Sequence, residues 1–274
     1  MQQFSVLLSV YSKEHAEFLR LALDSVFSQT ISPTEVVLVE DGPLTNELEA
    51  VVMDFEQRQP TLKVVRTPQN QGLGRALNEG LKHCSYELVA RMDTDDICKP
   101  YRFEKQLAVF QKKPEISVCG SWINEFFTDA EHTVSQRCTP GSTQEIYEYG
   151  KKRNPMNHVT VMFRKTNVIK SGGYQDYPLF EDYYLWVRML VFGYKFFTIQ
   201  EPLVDVRADV NMIARRGGFY YALTEARIQF LFFGLRYINF RSFLYNLAAR
   251  FSVRIMPAGI RAKIYKKKLR QHEN

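Results

Sequence analysis

Short apolar runs alternate with segments of helical periodicity over the first hundred residues. The apolar runs cover residues 4–10, 36–39 and 62–65. They are nearly continuous in apolar side chains, as strands covered on both faces of a sheet are. Between and after them, apolar residues recur at helical spacing, which predicts helices over about 14–28, 47–57 and 73–84. Strands that alternate with helices predict right-handed crossovers and a mainly parallel sheet, the α/β class.

Beyond Pro100 the alternation is less regular. The pattern predicts helices over 102–112 and 180–191, and strands over 116–123 and 158–164. Residues 219–256 are mostly helical in pattern. No internal repeat is visible, and 274 residues fit either one large α/β domain or a domain with an appendage.

Three carboxylates follow the apolar run 88–90, where another buried strand is expected to end. Asp93, Asp95 and Asp96 would repel one another there unless a positive charge lay between them. Residues two apart point to the same side of an extended backbone, so Asp93 and Asp95 face a common position. Oxygen ligands of this kind suit Mg²⁺ or Mn²⁺ beside a diphosphate. The structural alternative is a solvated, acidic turn.

Polar or aromatic residues also follow the other predicted strands. Tyr11 follows the first, Asp41 the second, and Asp93 the strand before the acidic cluster. In open parallel sheets ligands bind at the carboxyl ends of the strands, near a topological switch point. The sequence therefore predicts a binding site at this edge.

A dinucleotide-binding site is excluded at the glycine-rich turn Gly72-Leu73-Gly74-Arg75. The fingerprint requires a third glycine where this chain has Leu77, and it follows the first strand of its fold.

Composition fits an ordinary globular protein, with 45% hydrophobic and 24% charged residues. The first residues show no basic leader, and no apolar stretch approaches the ~18 residues that span a bilayer. The four cysteines contain no C-x-x-C pair, which favours reduced thiols in the cytoplasm over a disulfide frame or a zinc site.

The positive charge lies in the tail. The net charge of the chain is +6. Residues 236–274 contain ten Lys or Arg and the single acid Glu273, a balance of +9, so the rest of the chain carries −3. Apolar residues at helical spacing accompany these cations, which indicates an interfacial helix on an anionic membrane over 236–270. The alternative is a terminal helix that packs its apolar stripe on the domain. Nucleic acid is a poorer partner, because the basic run is short and the proposed centre is acidic.

Five segments together resemble the family 2 glycosyltransferases, inverting enzymes with the GT-A fold, a Rossmann-like α/β fold. They are SVLLSVYSKEHAEFLRLALDSVFSQT, VVLVEDG, QNQGLGRALNEGL, ARMDTDD and FEDYYLWVRML. They occur in the family's order over about the first 190 residues. The segment RADVNMIARRGGFYY and the basic tail resemble a bacterial branch that builds O-antigen, capsule and exopolysaccharide repeat units.

The resemblance implies a set of residues that bind the nucleotide. Tyr11 would stack on uracil and Asp41 would accept a hydrogen bond from the base, with Arg75 beside the nucleotide and Arg207 near the diphosphate. Arg215 and Arg216 lie on the segment that closes over the diphosphate in the family. A half-buried Tyr, an Asp-Gly turn and ordinary exposed Arg residues are the structural alternatives. The chain departs from the family in having Glu40-Asp41-Gly42 for Asp-Asp-Gly.

The resemblance also assigns the acidic cluster. Asp95 and Asp93 would hold Mn²⁺ or Mg²⁺, with Asp93 also reaching the ribose and Asp96 positioning the donor sugar. The ion would neutralise charge on the departing diphosphate. Some relatives carry a metal-binding His after the strand near position 207, where this chain has Arg207-Ala208-Asp209.

Glu181 and Asp182 open a predicted helix, where the macrodipole favours acids whatever their role. The resemblance makes Asp182 the general base that deprotonates the acceptor hydroxyl, with Glu181 orienting the acceptor. Trp186 is either a sugar platform or part of the core. His158 is interpreted as a structural hydrogen-bonding residue.

The sequence thus predicts a GT-A domain over 1–215, with a nucleotide-binding half (1–100) and an acceptor-binding half (101–215), and a basic helical extension over 216–274. The expected reaction moves galactose or glucose from a UDP-sugar to a sugar on undecaprenyl diphosphate, at the inner face of the bacterial plasma membrane. Two alternatives remain: a sugar-nucleotide nucleotidyltransferase, or a non-catalytic membrane-associated binding protein.

Overall fold

A computed structural model describes residues 2–208 and 218–255. In these residues nine strands form one sheet. The strands are β1 (Phe4–Val10), β2 (Glu35–Glu40), β3 (Leu62–Arg66), β4 (Leu88–Arg91), β5 (Ile97–Cys98), β6 (Ile116–Phe126), β7 (Ser135–Arg137), β8 (Met162–Arg164) and β9 (Lys195–Arg207). The helices are α1 (Ala16–Phe27), α2 (Asn46–Arg58), α3 (Leu73–His83), α4 (Arg102–Lys112), α5 (Thr143–Gly150), α6 (Lys165–Lys170), α7 (Glu181–Val191), α8 (Phe219–Gly234) and α9 (Phe240–Ile255).

The first four strands are parallel and place the site. Their order is β3-β2-β1-β4, so the chain moves outward from β1 to β3 and then returns to pair β4 with the other side of β1. This reversal is a topological switch point, where ligands bind beyond the carboxyl ends of the strands. Tyr11 follows β1 and Asp93 follows β4. The prediction of one sheet edge for these residues is confirmed.

The second half of the sheet is mixed. β8 is antiparallel to β4 and to β6, while β9 runs parallel to β6 over almost its whole length. The two-residue β5 follows the acidic turn and pairs Ile97 with Asp205 of β9. The strand predicted over 158–164 was partly wrong: His158–Thr160 is a 3₁₀ turn and only Met162–Arg164 is strand. The Thr160 hydroxyl accepts from the Ser121 N–H, which ties this turn to β6.

Helices cover both faces of the sheet, and each face has its own core. The residues of β1 alternate between the two cores, with Leu7 in one and Phe4, Val6 and Leu8 in the other. The near-continuous apolar character of the first strands follows from this double burial. Trp186 of α7 is fully buried in the first core, so it is a core residue and not an exposed sugar platform.

Helices α8 and α9 form a hairpin that packs on the domain. Glu225 of α8 is buried and pairs with Arg250 and Arg254 of α9. Phe243 is buried and Leu247 packs against the main core. Phe243, Leu247 and the last two arginines of α9 therefore face inward, as the docking alternative expects, while Leu244 is exposed. None of the helices in 2–208 and 218–255 combines the length and apolar character needed to span a bilayer.

Candidate active site

The two predicted metal ligands, Asp93 and Asp95, lie together with Asp96. Carboxylate oxygens of Asp93, Asp95 and Asp96 are all within 4.8 Å of one another. Thr94, between them, is buried and donates to the backbone carbonyl of Ser9 at 3.3 Å, which fastens the turn to the end of β1. The turn is therefore held against the sheet edge and is not the solvated loop of the structural alternative.

Electrostatics within the acidic turn favour a cation. Burial, the neighbouring Asp93 and then Glu14 raise the pKa of Asp95 to about 7. Burial raises the pKa of Asp96 well above its ordinary value, and the charges of Asp95 and Asp93 add to the effect. Carboxylates that ionise so reluctantly gain most from a divalent ion between them. The donor set of hard oxygens fits Mg²⁺ or Mn²⁺.

A buried arginine lies beneath the acidic turn. Arg91, the last residue of β4, is 2% exposed, and its guanidinium donates to both carboxylate oxygens of Asp93, one of them at 2.8 Å. Burial raises the pKa values of Asp95, Glu181 and Asp182, and the charge of Arg91 partly opposes that rise. Arg91 is therefore the direct counter-ion of Asp93, and its charge also acts on the two acids that begin α7.

Arg207 supports the acidic turn from the end of β9. Its backbone N–H donates to the Asp96 carboxylate at 2.8 Å, and its side chain donates to the backbone carbonyl of Asp95 at 3.3 Å. The guanidinium lies over the rings of Phe18 and Phe126, 3.8 and 4.7 Å from their centroids. The predicted role of Arg207 at the diphosphate stays a prediction. Arg215, Arg216 and Asp209 lie outside the described residues.

Asp41 organises the loop that precedes α3. It is buried, and its two carboxylate oxygens accept the backbone N–H groups of Gln71 and Gly72 at 2.7 and 2.9 Å. Gly42 makes this approach possible: its φ is +85°, and a Cβ there would lie 2.5 Å from the Asn70 nitrogen. A carboxylate has about four acceptor positions, so capacity remains for a base N–H.

The other two predicted nucleotide residues lie at the surface. Tyr11 is 43% exposed directly after β1, which leaves a ring face available for stacking. Arg75, in the first turn of α3, pairs with Asp176 at 2.5 Å, and both side chains are mostly exposed. Exposed pairs contribute little, so Asp176 does not prevent Arg75 from binding a phosphate. Both roles stay predictions.

The two carboxylates at the start of α7 differ in their surroundings. Burial and then the adjacent Asp182 raise the pKa of Glu181 to about 7, and its Oε2 has no hydrogen-bond partner among the described residues. Burial also raises the pKa of Asp182, but the Asn154 amide donates to its Oδ2 at 2.5 Å and opposes that effect. A partly buried carboxylate with a raised pKa and one fixed hydrogen bond suits a general base.

His158 lies in the core behind the site. Its Nε2 is 2.9 Å from the Tyr174 hydroxyl, and its ring meets Trp186 edge to face at 5.9 Å. Burial and the nearby Arg91 lower its pKa well below the ordinary value, so it is neutral. Its interpretation as a structural hydrogen-bonding residue is consistent with these contacts.

Sequence reasoning missed Arg91, Glu14 and Asn154. Arg91 could have been found, because residues two apart on an extended chain share a side and it precedes Asp93 by two. Glu14 follows β1 at the same edge as Tyr11 and accepts from the Thr94 hydroxyl at 3.3 Å. Asn154 carries no comparable signal, since its partner lies 28 residues away in the chain, beyond β8 and α6.

Two solved structures share the fold. A structure of Staphylococcus aureus TarS residues 1–349 in complex with UDP-GlcNAc aligns with a TM-score of 0.68, over 97% of this chain and 76% of that one, at 16% identity. The mannosyltransferase PcManGT of Pyrobaculum calidifontis, in complex with GDP-Man and Mn²⁺, aligns with a TM-score of 0.60 over 97% of this chain and 79% of that one, at 15% identity.

The family model described as glycosyl transferase family 2 matches residues 5–174. An uncharacterized glycosyltransferase of Haemophilus influenzae is 45% identical over 98% of this chain and 100% of its own length. The UDP-Gal:alpha-D-GlcNAc-diphosphoundecaprenol beta-1,3-galactosyltransferase of Escherichia coli is 38% identical over 98% and 97%. The amylovoran biosynthesis glycosyltransferase AmsE of Erwinia amylovora is 39% identical over 96% and 98%. The chain belongs to glycosyltransferase family 2, and it is an enzyme of that class.

Proposed function

We propose that this glycosyltransferase moves a hexose, galactose or glucose, from a UDP-sugar to a sugar carried on undecaprenyl diphosphate. The observation that carries the proposal is the cluster of Asp93, Asp95 and Asp96 beyond β4, whose carboxylate oxygens lie within 4.8 Å of one another at the switch point of the sheet. The Escherichia coli relative, whose name specifies UDP-Gal and a diphosphoundecaprenol-linked GlcNAc, aligns over nearly the whole chain. Membership of the family disfavours the nucleotidyltransferase and the non-catalytic alternatives.

On the donor side, Tyr11 stacks on the uracil and Asp41 accepts a hydrogen bond from it. Arg75 and Arg207 bind the diphosphate, and Asp96 positions the donor sugar. The cluster of Asp95 and Asp93 would hold Mn²⁺ or Mg²⁺, which neutralises charge on the leaving group when bound. The raised pKa values of Asp95 and Asp96 support this use of the cluster.

On the acceptor side, Asp182 takes the proton of the acceptor hydroxyl as its oxygen attacks the anomeric carbon from the face opposite the diphosphate. One displacement of this kind inverts the configuration, so an α-linked donor gives a β-linked product. Asn154 orients the Asp182 carboxylate, and Glu181 orients the acceptor. Positioning of this kind supplies much of the rate.

The proposed setting is the cytoplasmic face of the bacterial plasma membrane, in the assembly of O-antigen or exopolysaccharide repeat units. The donor is water-soluble and the acceptor is anchored in the bilayer, so a peripheral position gives the enzyme access to both. The relatives from Escherichia coli and Erwinia amylovora support this assignment by their names.

A panel assay tests the proposal. Purified protein is incubated with each of several UDP-sugars and with synthetic GlcNAc- and GalNAc-diphosphate lipids, with Mn²⁺ or with chelator, and product is detected by mass spectrometry. We expect metal-dependent product from one donor. Asp93→Asn and Asp95→Asn should abolish it, while Asp24→Asn, at an exposed position of α1, should not. Failure of every donor, together with no binding of UDP, would contradict the proposal.

A further inference from the structure

Exposed aromatic residues are concentrated where the α8–α9 hairpin turns. Phe230, Phe233 and Phe240 are 57%, 40% and 59% exposed. Their ring centroids lie 4.9, 5.2 and 6.4 Å from that of the buried Phe243, so they form one continuous surface. Leu244, one helical turn after Phe240, is 48% exposed. We call Phe230, Phe233, Phe240 and Leu244 the aromatic corner.

Apolar exposure continues from the aromatic corner along α8. Leu223, two turns before Phe230, is 42% exposed, and Phe219, a further turn away, is 65% exposed. Residues at these spacings share one side of a helix. At 1.5 Å per residue, the apolar side from Phe219 to Phe233 is about 20 Å long. A continuous apolar surface of this length indicates an interaction site and not scattered surface hydrophobes.

Within residues 218–255 the exposed charged side chains are all positive. Arg227, Arg236 and Arg241 are exposed, and none of them pairs with a carboxylate of the described residues. Glu225 is the single acid between positions 218 and 255, and it is buried between two arginines of α9. Exposed aromatics flanked by unbalanced cations suit an anionic bilayer, where the rings enter the interface and the guanidinium groups meet lipid phosphates.

The hairpin is also fixed to the acceptor side of the site. Tyr221 of α8 meets Phe180, the residue before Glu181, at 5.2 Å between ring centroids. The Asn246 amide of α9 donates at 2.8 Å to the backbone carbonyl of Lys151. Lys151 lies three residues before Asn154, whose amide donates to the Asp182 carboxylate. A bilayer that contacts the hairpin is therefore held in a defined position relative to the proposed base.

We propose that the aromatic corner and the adjoining side of α8 are the surface by which the protein lies on an anionic bilayer, next to the entrance for a lipid-linked acceptor. The inference rests on the proposed function, because only an acceptor in the bilayer requires the enzyme to lie there. It assigns the contact to α8 and the hairpin turn. Phe243 and Leu247 of α9, which the sequence offered either for this role or for docking on the domain, pack inward.

Co-sedimentation of the full chain with vesicles tests this surface. Vesicles of phosphatidylethanolamine with phosphatidylglycerol are compared with vesicles of phosphatidylcholine alone. The variant Phe230→Ser/Phe233→Ser/Phe240→Ser removes most of the exposed ring area, so its partition coefficient on anionic vesicles should fall about tenfold or more. Phe192→Ser is the matched control, because Phe192 is 58% exposed beyond the end of α7, and it should partition like wild type.

A second variant isolates the charge. Arg227→Gln/Arg236→Gln/Arg241→Gln leaves the rings in place, so it should weaken binding to anionic vesicles and leave binding to phosphatidylcholine unchanged. The basic residues beyond position 255 are the same in every variant, so differences measure the surface itself. Wild-type-like partitioning by the ring variant would overturn the inference. The inference would also be overturned if the wild-type protein sedimented as a dimer, the ring variant sedimented as a monomer, and neither bound vesicles.

Transfer to a water-soluble acceptor, a GlcNAc diphosphate on a short alkyl chain, separates this inference from the proposed function. The ring variant should keep wild-type transfer to the soluble acceptor, which also shows that it is folded, and lose transfer to acceptor embedded in vesicles. A wild-type protein that binds vesicles through the rings but transfers to neither acceptor would refute the proposed function and leave the surface supported.

Discussion

Replacement of Asn154 by Ala should move the pH dependence of transfer. The Asn154 amide donates to the Asp182 carboxylate at 2.5 Å and opposes the effect of burial on its pKa. Without that donor the charged form loses a hydrogen bond, so the pKa of Asp182 rises further. A general base works only when it is deprotonated, so the acidic limb of kcat/KM must move to higher pH.

The size of the shift follows from the contact. A hydrogen bond to a charged group contributes about 1.5–3 kcal/mol, and one pKa unit corresponds to about 1.4 kcal/mol. We therefore expect the acidic limb in Asn154→Ala to move up by about 1 to 2 units. Above the shifted pKa the base is ionised in both proteins, so their rates should converge to within a few-fold at high pH.

The assay is kcat/KM for sugar transfer from pH 5.5 to 9.5 at constant ionic strength. Asn167→Ala is the matched control: the Asn167 amide donates to the Ser117 hydroxyl at 2.9 Å, away from the proposed base, so its pH profile should match wild type. A profile for Asn154→Ala that falls by the same factor at every pH, with its limb unmoved, would refute Asp182 as the titrating base.

Three further predictions concern buried charge. Arg91→Met leaves Asp93 without its counter-ion and should lower the free energy of unfolding, measured with denaturant, by about 3 kcal/mol. Mn²⁺ should stabilise this variant more than it stabilises wild type. Equal stabilisation of both proteins by Mn²⁺ would contradict the role of Arg91 as the counter-ion of Asp93. Burial raises the pKa of Glu40 from 4.5 to about 7 in the folded protein. The free energy of unfolding therefore falls as the pH rises from about 4.5 to 7, because the unfolded chain ionises this group more readily than the folded protein does. Glu40→Gln should therefore be more stable than wild type by about 2–3 kcal/mol at pH 8 and not at pH 4.5, and a gain that is equal at both would refute the reasoning. Glu225→Ala leaves Arg250 unpaired in the hairpin interface and should cost about 3 kcal/mol, measured by thermal unfolding against exposed Glu17→Ala, which should change little.

Much of the fold was predictable because hydrophobic periodicity records burial. The helix over 102–112 begins and ends where the pattern indicates, and the parallel strands near the N-terminus are nearly continuous in apolar residues. The hydrophobic pattern did not predict α5 or the thirteen-residue β9, which the family resemblance indicated only near position 207. The first part of the strand predicted over 158–164 was wrong because His158–Thr160 is a 3₁₀ turn, tied to β6 through the Thr160 hydroxyl, and only Met162–Arg164 is extended.

The candidate site shows the same division. Carboxyl ends of parallel strands meet at one edge, so the sequence indicated that Tyr11, Asp41 and Asp93 lie together. What it did not reveal depends on tertiary approach. The Asp41 carboxylate accepts hydrogen bonds from two backbone N–H groups of the loop before α3. The Arg207 guanidinium lies over two aromatic rings beside the acidic turn. Neither contact follows from local pattern.

The rate of transfer by Asp182→Asn, relative to wild type, tests the account most directly. Asn is nearly isosteric with Asp but cannot take a proton, and general base catalysis contributes about 10²–10⁴. We predict a fall in kcat of at least about a hundredfold, with UDP binding unchanged and a product of inverted configuration in the wild-type reaction. A variant that transfers sugar within a few-fold of wild type, or a wild-type product of retained configuration, would contradict the mechanism.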